Sequence, residues 1–581
     1  MNFSSRYDIT NKRFAHFQLM RLEGKKMPIT YTRSTSLFRV IAGKFPPYNI
    51  YGAQAKRTFS LAALMVATVT KEWCQRIDAE AMDENNWRPI RRRAPISKDG
   101  MPDHQAVQIE RYADFIGISC AMSTAAPRCL ELVRIYSRMP ENLRPRAIIV
   151  GGWHAIDNAR EFLEVGADVV IQGEVEMVIV QLMDALRNGT SLAGIQGISY
   201  RDKDGTIHLV AGETPVVPQE KMDELPLPNF GLCRYAVIKY YPVQRIRGCS
   251  GKCRFCRVKC APRWMSAQRF LELLVVLASQ GVKHIFITDD RIEEDMDGLR
   301  WWLEEFAKIR LQRKLRVTFI IQSRLSTAQH PEVLNLMWQA GVRTVCIGFE
   351  DPREEAIASM RKPLSVRKID ELVKVWKMFG FYMHMMGIFL YPLRPNVIEK
   401  YGREILVSAK KLAQIFRNYI KRVGPDTLQI LILTPLSNTE DREFLESQGR
   451  IFHQFDWDKY DGTFLLFKPD ENIDPVEGQE ESIKLMRCFY GYPLVWRWPL
   501  FDWPIILTRG LLFLLFHLTM PFLWLMMMPI KLHPARAWDL PRKIRRNLLK
   551  KLGAMYLIHK WYKYYKKIDF AGQLRQAASK Q

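Results

Sequence analysis

The chain has 581 residues, of which 48% are apolar and 25% charged. That is room for roughly three or four domains of about 150 residues, and it excludes both a small disulfide-stapled module and a mainly disordered protein. There are 86 Lys and Arg against 61 Asp and Glu, a formal charge of +25, which points to an anionic partner. Residues 531–581 carry 14 of those cations against only Asp539 and Asp569.

Residues 1–35 are polar, basic and weakly periodic, and read as an extension without the order of a secretory signal. Short apolar runs then suggest buried strands at Leu37–Ala42, Cys74–Ile77, Asp114–Ser119, Ala147–Val150 and Asp168–Ile171. Helical patterns lie between them at Leu61–Trp73, Arg128–Arg138 and Ala159–Val165. This alternation predicts a parallel sheet with helices on both faces and a ligand crevice at the strand C-terminal ends. Ser119, Gly151, Gly152 and Gly173 sit at those ends, where backbone can approach a ligand closely. A hairpin around Asp202–Gly205 and a Pro-rich connector from Pro215 to Phe230 close this unit.

A second series has strands near Val243–Arg247, His284–Thr288, Arg316–Ile321, Thr344–Ile347, Tyr382–Leu390 and Thr427–Leu433, with helices at Ala267–Ser279, Gly298–Ile309, Val333–Ala340 and Val366–Phe379. Six strand-helix steps suggest a partial barrel with its chemistry on the C-terminal rim.

After the first of these strands come Cys249, Cys253 and Cys256, a C-x3-C-x2-C spacing on a loop. With ten cysteines and no secretory signal, a reduced compartment and a metal or cluster site are expected rather than disulfides. Three thiolates can hold three irons of a 4Fe-4S cluster and leave the fourth for a non-protein ligand. Structural zinc is the alternative, but it usually takes two separated ligand pairs and no second pair is visible. An electron-transfer cluster is another, since Cys260 and Pro262 are placed as in a ferredoxin half-motif whose first gap differs. Cys260 reads as a bystander thiol.

The three cysteines, with Phe255 before the last, resemble the motif of the radical S-adenosylmethionine enzymes. The resemblance runs from about Val243 to Leu433. It implies that the free iron binds S-adenosylmethionine and that one-electron reduction yields a 5′-deoxyadenosyl radical. It also implies S-adenosylmethionine contacts for Phe255, for Asp289 after the second strand, Arg324 after the third and Glu350 after the fourth; helix caps or surface ion pairs are the plain alternatives for the charged three.

The segments Asp114–Ser119, Val150–Ala155 and Gly166–Glu176 resemble, over about residues 36–210, the cobalamin-binding domain found ahead of many radical enzymes. That likeness implies cobalamin near Ser119, Gly151, Gly152 and Gly173. The Asp-x-His-x-x-Gly motif that supplies a histidine to cobalt is absent: Asp103-His104 has the wrong spacing, and His154 reads as a loop residue. The expected fold is α/β: a Rossmann-like cobalamin-binding domain (36–215), a linker (216–240), a partial (β/α)6 TIM-type radical S-adenosylmethionine barrel (241–435), an extension (436–500) and helical membrane-associated segments (501–581).

Gly510–Ile530 holds 21 residues without Asp, Glu, Lys or Arg, about 31 Å as a helix. The cluster before it and the basic tail after it both favour the cytoplasmic side. With Pro504, Pro521 and Pro529 this suggests a re-entrant or monotopic anchor on the cytoplasmic face of a membrane, and residues 542–567 a basic amphipathic surface helix on anionic lipid. Nucleic acid is not expected. The resulting expectation is a methyltransferase acting on an unactivated carbon of a hydrophobic substrate, a lipid such as a hopanoid or another isoprenoid, with cobalamin, S-adenosylmethionine and a flavodoxin or ferredoxin as electron donor. A radical cyclase, oxidase or carbon-carbon coupling enzyme on a lipid or tetrapyrrole, and a membrane-bound cobalamin or iron-sulfur sensor, are the alternatives.

Overall fold

The computed structural model describes residues 35–47, 49, 52–210, 215–490, 554–555 and 557–580. The apolar run at 510–530 therefore lies outside the described residues. Among those described, no helix is long and apolar enough to cross a membrane.

The first unit is an eight-stranded sheet, built from β1 (Ser36–Ala42), β2 (Ile77–Asp83), β3 (Phe115–Ser119), β4 (Ala147–Gly151), β5 (Val169–Ile171), β6 (Ile198–Arg201), β7 (Ile207–His208) and β8 (Cys233–Arg234), in the order β7-β6-β5-β4-β3-β1-β2-β8. All neighbours pair in parallel except the β6–β7 hairpin and its junction with β5. Along β1, Leu37 and Ile41 join one core layer with Leu132 and Phe162, while Phe38 and Val40 join the other with Leu64 and Leu182. Helices thus cover both faces, as continuous apolar strands require. Strand order reverses between β1 and β3, which sets the crevice there.

Two elements differ from the sequence reading. The second strand is Ile77–Asp83 rather than Cys74–Ile77; its acidic residues hide it from an apolar count, yet Glu80 is buried against Arg39 at 2.6 Å and Arg111 at 2.7 Å. The linker (216–240) also contributes β8, which extends the sheet beside β2.

The second unit is a six-stranded parallel sheet of β9 (Tyr241–Val243), β12 (His284–Ile287), β13 (Thr318–Gln322), β14 (Val342–Glu350), β15 (Tyr382–Phe389) and β16 (Thr427–Ile432), curled in sequence order. Its outward side chains meet helices: Phe319 packs on Trp302 and Phe306, and Phe349 and Phe389 on Phe416. The first strand is shorter than read. After Val243 the chain leaves the sheet and pairs as an antiparallel ribbon, β10 (Ile246–Arg247) with β11 (Arg263–Trp264).

Residues 436–490 are part of the barrel core rather than an appendage. Tyr490 Oη accepts from Leu428 N at 2.7 Å, and Phe452, Leu465 and Ile483 join the same apolar cluster as the strands. The chain end also corrects an expectation. In residues 557–580, Trp561, Tyr565, Phe570 and Leu574 are buried in that cluster, with Phe464 4.8 Å from Phe570 between ring centres. The apolar side assigned to lipid is covered by protein there, because amphipathic spacing suits either partner; Lys560, Lys566 and Lys567 remain exposed.

Candidate cluster and cofactor site

The ribbon β10–β11 presents the cysteine loop, and acidic side chains hold its base, the buried Asp289 foremost. Asp289 Oδ1 accepts from the backbone N of Arg245 at 2.7 Å and of Ile246 at 3.0 Å, which turns the chain out of the sheet. Asp290 accepts from Gly248 N, and Glu294 Oε1 from Ser250 N at 2.8 Å. Gly248 has φ +88°, and a Cβ there would lie 2.5 Å from Ala261 O, so only glycine lets the loop close. On the far side, Arg254 donates its backbone N to Met360 O and Nη1 to Ser359 O.

Within this frame the three thiols gather. Gly251 N donates to Cys249 Sγ, and a Cβ on Gly251 would sit 3.2 Å from Cys249 Sγ and 4.0 Å from Cys253 Sγ. Burial raises all three thiols; for Cys256 burial, then Cys253, Asp290 and Cys249, push it up to about 11. Burial and the mutual repulsion of their thiolate forms keep these groups protonated in the protein alone, and a cationic centre would make them thiolates. Among the described residues, no three His, Cys, Asp or Glu side chains converge on one metal-ion position. Three thiols without a fourth protein ligand among the described residues suit a cluster with one open iron better than a structural zinc, which takes four. Cys260 stands at the stem, its sulfur 3.7 Å from Arg263 Nη2 and its carbonyl accepting from Cys249 N.

Of the four residues assigned to S-adenosylmethionine, Arg324 reaches a thiol and Glu350 acts on one through its charge. Arg324 Nη2 lies 3.9 Å from Cys249 Sγ, and the guanidinium and Glu350 both act on the charge of Cys253. Glu350 ends β14 at φ +62°, after a register shift between Gly348 and Glu350; such strained strand ends re-aim a side chain. Its partner is Lys362, which also donates to Gly348 O at 3.0 Å. Lys362 was invisible in sequence, lying twelve residues past Glu350 with no motif around it. Asp289 instead supports the loop from below: burial pushes its carboxyl up to about 7, and Oδ2 is buried without a partner among the described residues. Phe255 stands edge-on to Tyr391, 6.4 Å between ring centres, and anchors the loop on the barrel rim.

The other side of strands β12 to β16 faces inward and stays half-buried. Phe286, Ile320, Cys346, Met386, Ile388 and Leu431 occupy alternate positions there. Nearer the strand starts, His284 pairs with Thr318 at 2.8 Å, and His384 with Thr427 and Gln429. The concave face is therefore mixed: those six apolar side chains share it with Gln322 and Thr344, over a floor where His284, Thr318, His384 and Gln429 are hydrogen-bonded.

At the end of the first sheet, Asp83, Ala42, Ser119 and Gly151 are register partners in one row. Ser119 is half-buried beside the crevice. Two glycines have reasons within the chain: a Cβ on Gly152, at φ +102°, would lie 2.7 Å from Cys120 O, and one on Gly173 2.5 Å from Pro215 O. Gly151 is less crowded, its nearest neighbour Ile171 at 3.9 Å. His154 is buried beside Ser123 and Trp457; burial lowers its pKa to about 4, and Nε2 has no partner among the described residues. That open polar atom, with Ser119, fits the neighbourhood of a cobalamin tail.

The two units touch along both flanks of the cysteine loop. Glu174 binds Arg263 at 3.0 Å and Arg247 at 3.4 Å, Glu176 binds Arg247 at 2.6 Å, and Asp157 binds Arg257 at 2.7 Å. On another side Thr124 Oγ1 donates to Asp458 O, and Trp457 Nε1 to Glu161.

Known proteins match the same two units. Residues 79–183 match the family model of the B12 binding domain, and residues 243–393 that of the radical SAM superfamily. A methyltransferase of Pyrococcus horikoshii, PH0819, named as uncharacterized, is 25% identical over 65% of this chain and 78% of its own. The cytidylyl-2-hydroxyethylphosphonate methyltransferase of Streptomyces wedmorensis is 24% identical over 58% and 70%. In fold, the chain resembles the cobalamin-dependent S-adenosylmethionine radical enzyme OxsB, solved with aqua-cobalamin, at a TM-score of 0.60 and 14% identity over 94% of this chain and 84% of that one. With a B12-binding domain, a radical S-adenosylmethionine barrel and the three-cysteine loop between them, the chain belongs to the cobalamin-dependent radical S-adenosylmethionine enzymes, whose cofactors are a 4Fe-4S cluster, S-adenosylmethionine and cobalamin.

Proposed function

We propose that this enzyme transfers a methyl group to an unactivated carbon of a hydrophobic substrate, a lipid, at the cytoplasmic face of a membrane. The bound cofactors supply the reducing cleavage that makes a carbon radical and the methyl group that quenches it. The chain's own part is placement. Cys249, Cys253 and Cys256 hold the cluster, while the cations Arg324 and Lys362 and the anion Glu350 offer opposite charges beside it, matched to the carboxylate and ammonium of S-adenosylmethionine. The apolar side chains of the inner face, from Phe286 to Leu431, would hold the reacting carbon away from water.

The observation that supports a hydrophobic substrate is the half-buried apolar set Phe286, Ile320, Cys346, Met386, Ile388 and Leu431 on the inner side of the barrel strands. The methyltransferase names of the relatives support methyl transfer. The membrane location rests on the 510–530 run and on the lysines exposed along 557–567, which would meet anionic headgroups; a flavodoxin or ferredoxin would bring the electron.

The test is anaerobic turnover of the reconstituted protein with methyl-labelled S-adenosylmethionine and a lipid extract, read by mass spectrometry. Labelled lipid together with 5′-deoxyadenosine is expected. 5′-Deoxyadenosine with an unlabelled, altered product would replace methyl transfer by cyclisation, oxidation or coupling.

A further inference from the structure

The cysteine loop is held by arginines that reach into the other unit. Arg257 directly follows the third cysteine. Its Nε and Nη2 donate to the two oxygens of Asp157 at 2.9 and 2.7 Å, and its guanidinium carbon lies 4.6 Å from the centre of the Trp153 ring. The Arg257 and Asp157 side chains are only 14% and 11% exposed. Trp153 and Asp157 begin and end the short helix Trp153–Asp157, which starts directly after Gly151 and Gly152. A forked guanidinium–carboxylate pair stacked on an indole has essentially one geometry.

The stem of the loop is held separately. Arg247 and Arg263 face each other in the β10–β11 ribbon and share Glu174, with Glu176 also on Arg247. Those pairs fix where the loop leaves the barrel. Arg254, next to Cys253, stays within the barrel on Ser359 O. Arg257 differs from both sets, because it adjoins a cluster cysteine and ends on the first unit's strand-end helix.

We propose that Arg257, with Asp157 and Trp153, is a positioning contact that ties the place of Cys256 to the conformation of the loop after β4, so that the cluster site and the cobalamin site are occupied cooperatively. The proposal rests on the family assignment of one cofactor to each unit. A displacement of the Gly151–Gly152 turn moves Asp157, and the paired Arg257 carries the neighbouring Cys256 with it. If both cofactors favour one arrangement of this contact, each tightens the other by the same factor, since binding linkage is reciprocal.

The experiment titrates cobalamin into the full chain with and without the reconstituted cluster, following corrin absorbance, and records the electron paramagnetic resonance of the reduced cluster with and without cobalamin. For the natural chain, the cluster should tighten cobalamin binding by a factor in the range of about 5- to 150-fold, and cobalamin should shift the cluster spectrum. In Arg257→Ala and Asp157→Asn each cofactor should still bind alone, while the factor falls below about 2 and the spectral shift is lost. Arg257→Lys, which keeps the charge and loses the fork, should lie between.

Coupling that persists in both Arg257→Ala and Asp157→Asn would overturn the proposal, as would a natural chain that binds both cofactors independently. Asp157→Asn covers the case in which Arg257→Ala disturbs the loop itself: retained coupling there contradicts a contact that works as a pair. A natural chain that takes up no cobalamin would overturn the family reading and the proposal with it.

Discussion

Charged and polar groups cluster at the strand ends of both units, but the two clusters are completed differently. In the first unit Glu84 takes His104 Nε2 at 2.9 Å, Arg128 Nη2 at 2.7 Å and the backbone N of Lys44, and Tyr136 closes the far side of His104. Against its burial, those hydrogen bonds and charges hold the Glu84 carboxyl down to about 2. At the barrel rim the three thiols are raised by burial instead, and Arg324 reaches one sulfur only at 3.9 Å. A network whose members satisfy one another is scaffold; a donor set that stays uncompensated in the protein alone is a place for a ligand.

Removing members of each set should separate the two roles. The largest effect is expected at the rim: Cys249→Ala, Cys253→Ala or Cys256→Ala should take bound iron from about four per chain to near zero and cut reductive cleavage of S-adenosylmethionine by about 10³-fold or more, with thermal unfolding little changed. Iron analysis and 5′-deoxyadenosine assays on each variant check this. Glu84→Ala should do the reverse. It leaves His104 and Arg128 buried without their carboxylate, at a cost of about 3–5 kcal/mol in denaturant unfolding, while the cluster still assembles.

His154 sharpens the contrast through pH. It titrates near 6.5 when unfolded and near 4 in the folded chain, where burial disfavours its charge. Between those values the unfolded chain holds the extra proton, so stability is flat above pH 6.5 and falls as pH drops toward 4, by roughly 3 kcal/mol for this group. The difference between the natural chain and His154→Gln in urea unfolding across pH 4–7 isolates it; equal slopes would count against a buried neutral ring. The smallest effect is expected for Lys362→Met, which frees Glu350 from its ion pair and should weaken S-adenosylmethionine binding by about tenfold, near 1.4 kcal/mol, with the iron content kept. Equilibrium dialysis of the cofactor reads that change.

Much of this was legible in the sequence because periodicity reports burial. The helix Ala267–Ser279 and the order of the six barrel strands follow from it directly, as does the loop position of the cysteines. What escaped has physical causes. Asp78, Glu80 and Asp83 made β2 look too polar, since the arginine partners of the first two, Arg39, Arg111 and Arg234, come from distant segments and Asp83 accepts from the backbone N of Ser60 and Asn85. Lys362 meets Glu350 only through the turn of the chain after β14. Gly152 and Gly173 looked like openings for a ligand, whereas Cys120 and Pro215 fill the space beside them. Glu174 and Glu176 sat in the cobalamin-like motif but grip the cysteine loop. The face of Trp561 and Tyr565 could have met lipid or protein, and spacing alone does not distinguish the two.

The central claim is that three cysteines hold a cluster with one iron left for S-adenosylmethionine. Metal and sulfide analysis of anaerobically purified protein, joined to electron paramagnetic resonance of the reduced form with and without S-adenosylmethionine, tests it most directly. The account predicts about four irons per chain, a spectrum that shifts when S-adenosylmethionine is added, and no change in either on Cys260→Ala. Zinc in the loop, or a cluster that requires Cys260 and ignores S-adenosylmethionine, would contradict it.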